Sequence, residues 1–159
     1  MLISVASTPL AHADDSVART SWSLRGFGSA GVAYSNFADG DYNSSLLKAS
    51  GVGYSHHLSA DVDSRLGAQL AVKAGKQWSA VLQVVSEQRI DGSYRPVVEW
   101  ANIKLALCPD VALRFGRIAL PMFLAADYRK VGYAYPWART PVEVYGAIPF
   151  SHSDGLDAT

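Results

Sequence analysis

The sequence predicts an all-β protein with an antiparallel sheet, because apolar residues recur at every second position over much of residues 63–118. From Leu66 to Ala74 one set of alternate residues is apolar, and the other set is polar or small. The same pattern returns over 78–87 and 111–118. Since successive side chains of a strand point to opposite faces, each segment has one apolar and one polar face.

The connections between these segments alternate between short and long. Short turns lie at Gly75-Lys76 and at Cys108-Pro109-Asp110, whereas the connections over 35–60, over 88–95 and from 121 onward are long. Outer-membrane barrels have short turns at one end and long loops at the other, with the apolar face toward lipid and the polar face toward the lumen. The sequence therefore favours an antiparallel transmembrane β-barrel. A secreted soluble β-barrel or sandwich that binds a small ligand in its interior is the open alternative.

The individual elements follow from the same pattern. A segment rich in Asp, Asn, Ser and Gly over 36–60 is typical of a loop, and Asp91-Gly92 indicates a turn. The predicted strands, in chain order, are 23–34, 63–74, 78–87, 97–107 and 111–118, and a sixth begins near Asp154.

The N-terminal residues have the features of a secretory signal. Positions 1–10 are mostly small or apolar, and Ala11-His12-Ala13 has the form of a signal-peptidase site. We therefore interpret residues 1–13 as a signal-peptide remnant and 14–159 as the mature part. Together with the barrel pattern, this assignment predicts a location in the outer membrane of a Gram-negative bacterium.

Composition excludes several classes of protein. The 14 basic and 14 acidic residues give a net charge of zero, so no nucleic-acid partner is expected. No run of about 18 apolar residues is present, so no transmembrane helix is expected. A single cysteine, Cys108, leaves no internal disulfide to form.

Three motifs have the residue types of chemical sites without the context that such sites require. Residues 26–31 read G-x-G-x-x-G, but a strand pattern follows where a dinucleotide site needs a helix. The pair His56-His57 has no third metal ligand nearby. Residues 151–154 contain the Ser, His and Asp of hydrolases, yet triads are assembled from positions that are distant in sequence. We therefore expect no enzyme activity, cofactor or metal.

Residues 120–153 differ in amino-acid composition from the predicted strands. Four prolines interrupt an aromatic and charged stretch, and proline disfavours a central strand. Because a connection this long is usually functional or disordered, and its tyrosines argue against disorder, we expect an ordered loop. We expect this loop to pack inside the barrel.

Several segments, taken in order, resemble bacterial outer-membrane porins of proteobacteria. These segments are 63–69, 91–96, 99–102, 113–117 with Pro121, 131–137 and 141–145. The resemblance implies a barrel of about 16 strands that lets small hydrophilic solutes or ions diffuse through a water-filled lumen. It also implies a third loop folded inward at 120–153 to narrow the pore, contact with outer-membrane lipid, and a homotrimer. Since only five or six strands are found, we expect the N-terminal portion of such a barrel.

The candidate pore-lining residues follow from the polar face and the expected inward loop. We expect Arg65 and Arg114 to be wall cations of the constriction, opposite Asp127 and Glu143 on the inward loop, and we expect a mild preference for anions. The full set of candidates is Arg25, Arg65, Gln69, Gln83, Arg114, Asp127, Arg129, Lys130, Arg139 and Glu143.

Overall fold

A computed structural model describes residues 3–6, 20–48, 51–120, 130–131, 134, 141–145 and 150–158. Over these residues the chain forms antiparallel strands and one four-residue helix, α1 (Val142–Tyr145). The predicted all-β, antiparallel class is therefore confirmed. No helix within the described ranges is long and apolar enough to cross a membrane.

Seven of the eleven strands form one sheet in the order β1-β2-β7-β8-β9-β10-β11, with β1 and β11 at its edges. Apart from β2 and β7, strands that follow one another in this sheet also follow one another in the chain. The strands are β1 (Ile3–Ala6), β2 (Thr20–Ala30), β3 (Ala33–Tyr34), β4 (Asp41–Tyr42), β5 (Val52–Gly53), β6 (Leu58–Ser59), β7 (Arg65–Ala74), β8 (Trp78–Glu87), β9 (Val97–Cys108), β10 (Val111–Ala119) and β11 (His152–Ala158).

The strands from β7 onward lie close to their predicted positions, whereas the first part of the chain differs. Strand β2 covers 20–30 instead of the predicted 23–34. The strand ends before Gly31, which begins the connection to β7 and lies against Asp63 at the other end of that connection. A Cβ on Gly31 would come within 2.6 Å of the Asp63 Cβ. The predicted loop 36–60 contains β4, β5 and β6, and forms two small sheets, β3–β6 and β4–β5. Residues 3–6, which belong to the expected signal-peptide remnant, pair with β2.

One face of the large sheet carries apolar side chains in continuous rows, and we call it the apolar face. Trp22 and Phe115 on this face are 70% and 66% exposed. The central row crosses six strands through direct cross-strand partners, all of them apolar: Trp22, Val72, Ala80, Ile103, Phe115 and Leu156. The next row begins with Leu24, Leu70, Leu82 and Ala101.

The opposite surface, which we call the polar face, carries most of the charged residues of the strands. One row on it consists of small or uncharged residues: Ser23, Ala71, Val81, Asn102, Gly116 and Gly155. The row beside it, nearer the short turns, is strongly basic: Ser21, Lys73, Ser79, Lys104, Arg114 and Asp157. Most charged and most apolar side chains are thus sorted onto opposite faces, and the pair Arg117 and Asp154, which ends the row of Leu24, is an exception.

The sheet has little core of its own. Phe27 is one of the few buried apolar side chains, and its ring lies over Gly67, where a Cβ would come within 2.3 Å of the Phe27 Cζ. The chain has 10848 Å² of accessible surface. A compact monomer of its size would expose about 7,700 Å². Most apolar side chains of the sheet therefore lack a protein layer over them.

The regular strand geometry is interrupted by a β-bulge in β9, where it pairs with β8, and by a left-handed glycine in β10. Gln83 pairs with Trp100 but Val84 pairs with Val98, so Glu99 is the extra residue of a bulge. Beyond it, Gly116 has φ 119°, and a Cβ there would lie 2.3 Å from the carbonyl oxygen of Ala101. Both features lie at the end of the sheet that carries the long connections.

We expect Gly116→Ala to destabilise the protein by about 1–3 kcal/mol, because alanine at this position suffers both an unfavourable φ and a backbone clash. Denaturant titration of the folded protein measures the loss. Gly155→Ala is the matched control, since a Cβ on this cross-strand partner meets nothing within 4 Å. Equal stability of the two variants would contradict the assigned strain.

Side-chain hydrogen bonds hold the connection between β2 and β7. Asp41 accepts hydrogen bonds from the amides of Ser55 at 2.8 Å and Gly51 at 3.3 Å, and from the Ser55 hydroxyl. The hydrogen bonds of Ser55 lower the pKa of Asp41 below its ordinary value of 3.8. In the next long connection, the Tyr94 hydroxyl donates to Asp61 at 2.6 Å, and burial with this bond raises the pKa of Tyr94 to about 12.

We expect the segment 41–55 to loosen in acid. A carboxyl whose pKa is lowered on folding stabilises the fold above its ordinary pKa of 3.8, and this stabilisation is lost as the pH falls through the folded value. The measurement is the hydrogen-exchange protection factor of the Ser55 amide as a function of pH. Asp41→Ala should remove the pH dependence, and protection that persists in acid would contradict the expectation.

Candidate functional site

The centre of the polar face is a row of amides beside one arginine. Arg25, Gln69 and Gln83 are successive cross-strand partners on β2, β7 and β8. The Gln83 side chain is buried and donates from Nε2 to Gln69 Oε1 at 3.0 Å. Arg25 is exposed beside this pair. These three predicted site residues therefore share one row.

The basic row lies closer to the short turns. Arg114 donates from Nη2 at 2.6 Å and from Nε at 3.2 Å to Asp157 Oδ2. Lys73 and Lys104 are exposed, and within the described ranges neither makes an ion pair. One carboxylate thus faces three cationic side chains on this row.

A carboxylate cluster lies at the other end of the polar face, near the long connections. Lys130 belongs to the segment 120–153, which we call the proline-rich segment. It forms an ion pair with Glu87, the last residue of β8. Its Nζ is also 3.9 Å from Glu99 Oε1. The Glu99 side chain is only 9% exposed, and a carboxylate so buried is costly without ion-pair or hydrogen-bond partners. The cluster therefore holds one point of the proline-rich segment against the polar face.

The residue that precedes β11 reaches the same carboxylate from the other end of the segment. The Ser151 hydroxyl donates to Glu99 Oε2 at 2.6 Å. His152 Nδ1 lies 3.3 Å from this hydroxyl and 3.6 Å from Glu99 Oε2. A catalytic triad needs the serine and the acid on different ring nitrogens. Because Nδ1 faces both groups here, the arrangement works as an anchor and not as a proton relay.

Arg117 forms the best-oriented ion pair of the sheet. Its Nε and Nη2 donate to the two carboxylate oxygens of Asp154 at 2.8 and 2.9 Å, and Nη1 donates to the Val98 carbonyl at 3.2 Å. Arg117 also interacts electrostatically with Glu99. Cross-strand register places Arg117 between Ala101 and Asp154, in the row that begins with Leu24. Its hydrogen bond to the Val98 carbonyl and its interaction with Glu99 bring it to the edge of the carboxylate cluster.

The structure does not bring Arg65 and Arg114 together. Arg65 begins β7 and pairs with Glu87, whereas Arg114 shares its row with Lys73, eight residues further along β7. At about 3.3 Å per residue the two rows are on the order of 26 Å apart along the strands. The two arginines therefore lie in different rows of the polar face, and their role at a constriction stays a prediction.

The other predicted site residues lie in the proline-rich segment. Asp127, Arg129 and Arg139 lie outside the described residues. Lys130 contacts the polar face as above, and Glu143 is exposed on α1. Their expected positions opposite Arg65 and Arg114 stay predictions.

Most charged members of the basic row and of the carboxylate cluster were not predicted from the sequence. Lys73 and Lys104 were on the polar alternation and could have been selected, whereas Glu99 was concealed by the bulge that shifts the register. The charged residues that were not predicted as site residues are Lys73, Glu87, Glu99, Lys104, Arg117, Asp154 and Asp157.

Other motifs take no part in a chemical site. The G-x-G-x-x-G segment lies in β2 and just beyond it, not at a helix N-terminus. His57 Nδ1 is 3.1 Å from the Ser35 carbonyl oxygen, and both His56 and His57 are exposed. Among the residues that the structure describes, no group of three or more metal-ligating side chains is found.

No protein-family model, curated protein or solved structure matches this chain.

Proposed function

We propose that this chain forms part of an outer-membrane porin, through which small hydrophilic solutes or ions diffuse passively. The observation that carries the proposal is the sorting of the sheet into an exposed apolar face and a polar face with charged zones. A transmembrane barrel has this distribution, with lipid outside and water inside. The proposal requires further strands, because an open sheet edge is not tolerated within lipid.

The exposed apolar rows indicate that a nonpolar environment covers the apolar face and removes it from water. Burying a large apolar side chain is worth about 1.5–3 kcal/mol relative to leaving it in water. Trp22, Phe115 and Leu156 alone are each at least 66% exposed. Lipid covers such a face without a second protein layer.

The carboxylate cluster supports the inward position of the proline-rich segment. Lys130 and Ser151 are 21 positions apart, and both contact Glu99 on the polar face. These two contacts hold Lys130 and Ser151 at the polar face. Since the polar face of a barrel lines the lumen, they support a segment that folds inward and narrows the pore.

A second candidate is a soluble protein that binds an apolar ligand. A groove of about 680 Å³ opens beside Gly26, Gly28, Leu66 and Tyr94. The groove is open at the surface, and its lining belongs largely to the apolar face. In the porin proposal lipid chains fill it, whereas in the soluble alternative a ligand does.

The two candidates differ in where the protein is found and in what it does. We expect the full-length protein to require detergent for extraction from outer membranes, and to add stepwise ionic conductance to a planar lipid bilayer. Recovery in the periplasmic supernatant, together with no conductance in the bilayer, would exclude the porin. Cross-linking of the extracted protein tests the expected homotrimer.

A further inference from the structure

The basic row offers an anion a more complete set of donors than any other part of the described polar face. Across the strands, hydroxyl and cationic side chains alternate at Ser21, Lys73, Ser79 and Lys104, and the row ends with Arg114 and Asp157. Ammonium groups donate hydrogen bonds and accept none, and hydroxyls also donate. The row is therefore suited to oxyanions.

The geometry of the two lysines permits them to act on one solute. Lys73 and Lys104 are separated by one strand, which carries Ser79 between them. With neighbouring strands about 4.8 Å apart, their Cα atoms are about 10 Å apart. Because both side chains are long and exposed, their ammonium groups can approach the same carboxylate or phosphate.

The remaining cation of the row is restrained. Asp157 accepts two hydrogen bonds from Arg114 and neutralises it locally. The carboxylate cluster at the other end of the polar face contains Glu87 and Glu99, and these are balanced by Lys130 and Arg117. On the basic row the positive charge without an ion pair is thus that of Lys73 and Lys104, and Arg25, two rows away on β2, adds a further exposed cation to the polar face.

We infer that the basic row is an anion-binding strip that selects small oxyanions, carboxylates and phosphates, at the short-turn end of the pore. This inference rests on the proposed porin function and names its solute class. Low-dielectric walls focus the field of the lysines into the lumen and raise the local concentration of anions. Lys73 and Lys104, and not the arginine pair expected from the sequence, carry the preference.

The test is single-channel recording of the full-length protein in a salt gradient, with and without inorganic phosphate. We expect the wild type to prefer anions and phosphate to reduce its chloride current. The double variant Lys73→Gln/Lys104→Gln should lose both properties, and Lys73→Arg/Lys104→Arg should retain them. Lys76→Gln is the matched control, because Lys76 is exposed in the adjacent turn and lies outside the row.

A variant that should increase the preference for anions provides a second, independent test. Asp157→Asn should release Arg114 and shift the reversal potential further toward anions. All these shifts should shrink between 0.1 M and 1 M salt, where the Debye length falls from about 10 to about 3 Å.

Two outcomes would overturn the inference, and they are distinguishable. A conducting wild type whose reversal potential does not change in the double variant would overturn the anion strip and leave the porin proposal intact. A folded protein with no conductance in any form would overturn both.

Discussion

Leu70→Arg should destabilise the protein in lipid by about 2–4 kcal/mol, the cost of an arginine facing the middle of a bilayer. Leu70 lies near the centre of β7, and its cross-strand partners are Leu24 and Leu82. It is 36% exposed in the isolated chain. In a water-soluble sheet, a change at such a surface position costs within about 0.5 kcal/mol. The measurement is unfolding by denaturant in lipid vesicles.

The neighbouring residue supplies the control. Ala71 lies on the polar face between Ser23 and Val81, so Ala71→Arg should leave stability nearly unchanged. The two variants introduce the same charged side chain at adjacent positions on opposite faces. If both cost the same, the apolar face does not contact lipid and the soluble alternative gains support.

Lys130→Glu should produce the largest change in conductance. The change replaces the cation that bridges Glu87 and Glu99 with a third negative charge. Two charges 4 Å apart interact by about 4 kcal/mol at an effective dielectric constant of 20, well above the value of an exposed pair. We therefore expect the proline-rich segment to leave the polar face, and single-channel conductance to rise.

A charge exchange separates this effect from general misfolding. Glu87→Lys combined with Lys130→Glu restores one opposite-charge pair at the same place, and should return conductance toward the wild-type value. Glu143→Lys, at an exposed position of α1, is the control for a charge change within the segment. Unchanged conductance in a folded Lys130→Glu variant would mean that the segment does not narrow the pore.

The sequence predicted the strands well where local patterning determines them. Period-two alternation placed 78–87 without error, because each side chain of this strand meets either the apolar or the polar face. The first strand was extended too far, since Val32 and Tyr34 continue the alternation although the chain has already left the sheet at Gly31.

The candidate site was predicted less well, because its geometry depends on cross-strand register. Alternation assigns a residue to a face but not to a level along the strands, so it could not separate Arg65 from Arg114. The bulge at Glu99 breaks the alternation, and Arg117 lies in the row that begins with Leu24. Glu99 and Arg117 were therefore missed, although Glu99 lies in the carboxylate cluster and Arg117 at its edge.

The nested small sheets between β2 and β7 also bear on how quickly the large sheet can assemble. The connection spans residues 31–64, whereas β7 and β8 are joined by residues 75–77. Closing 34 residues instead of 3 costs about 2 kcal/mol more in chain entropy. Within this connection β4 and β5 can pair first and β3 and β6 second. Each pairing reduces the length of unpaired chain that separates β2 from β7. Pairing in this order replaces one long-range step of the sheet with a series of local ones, which favours rapid folding.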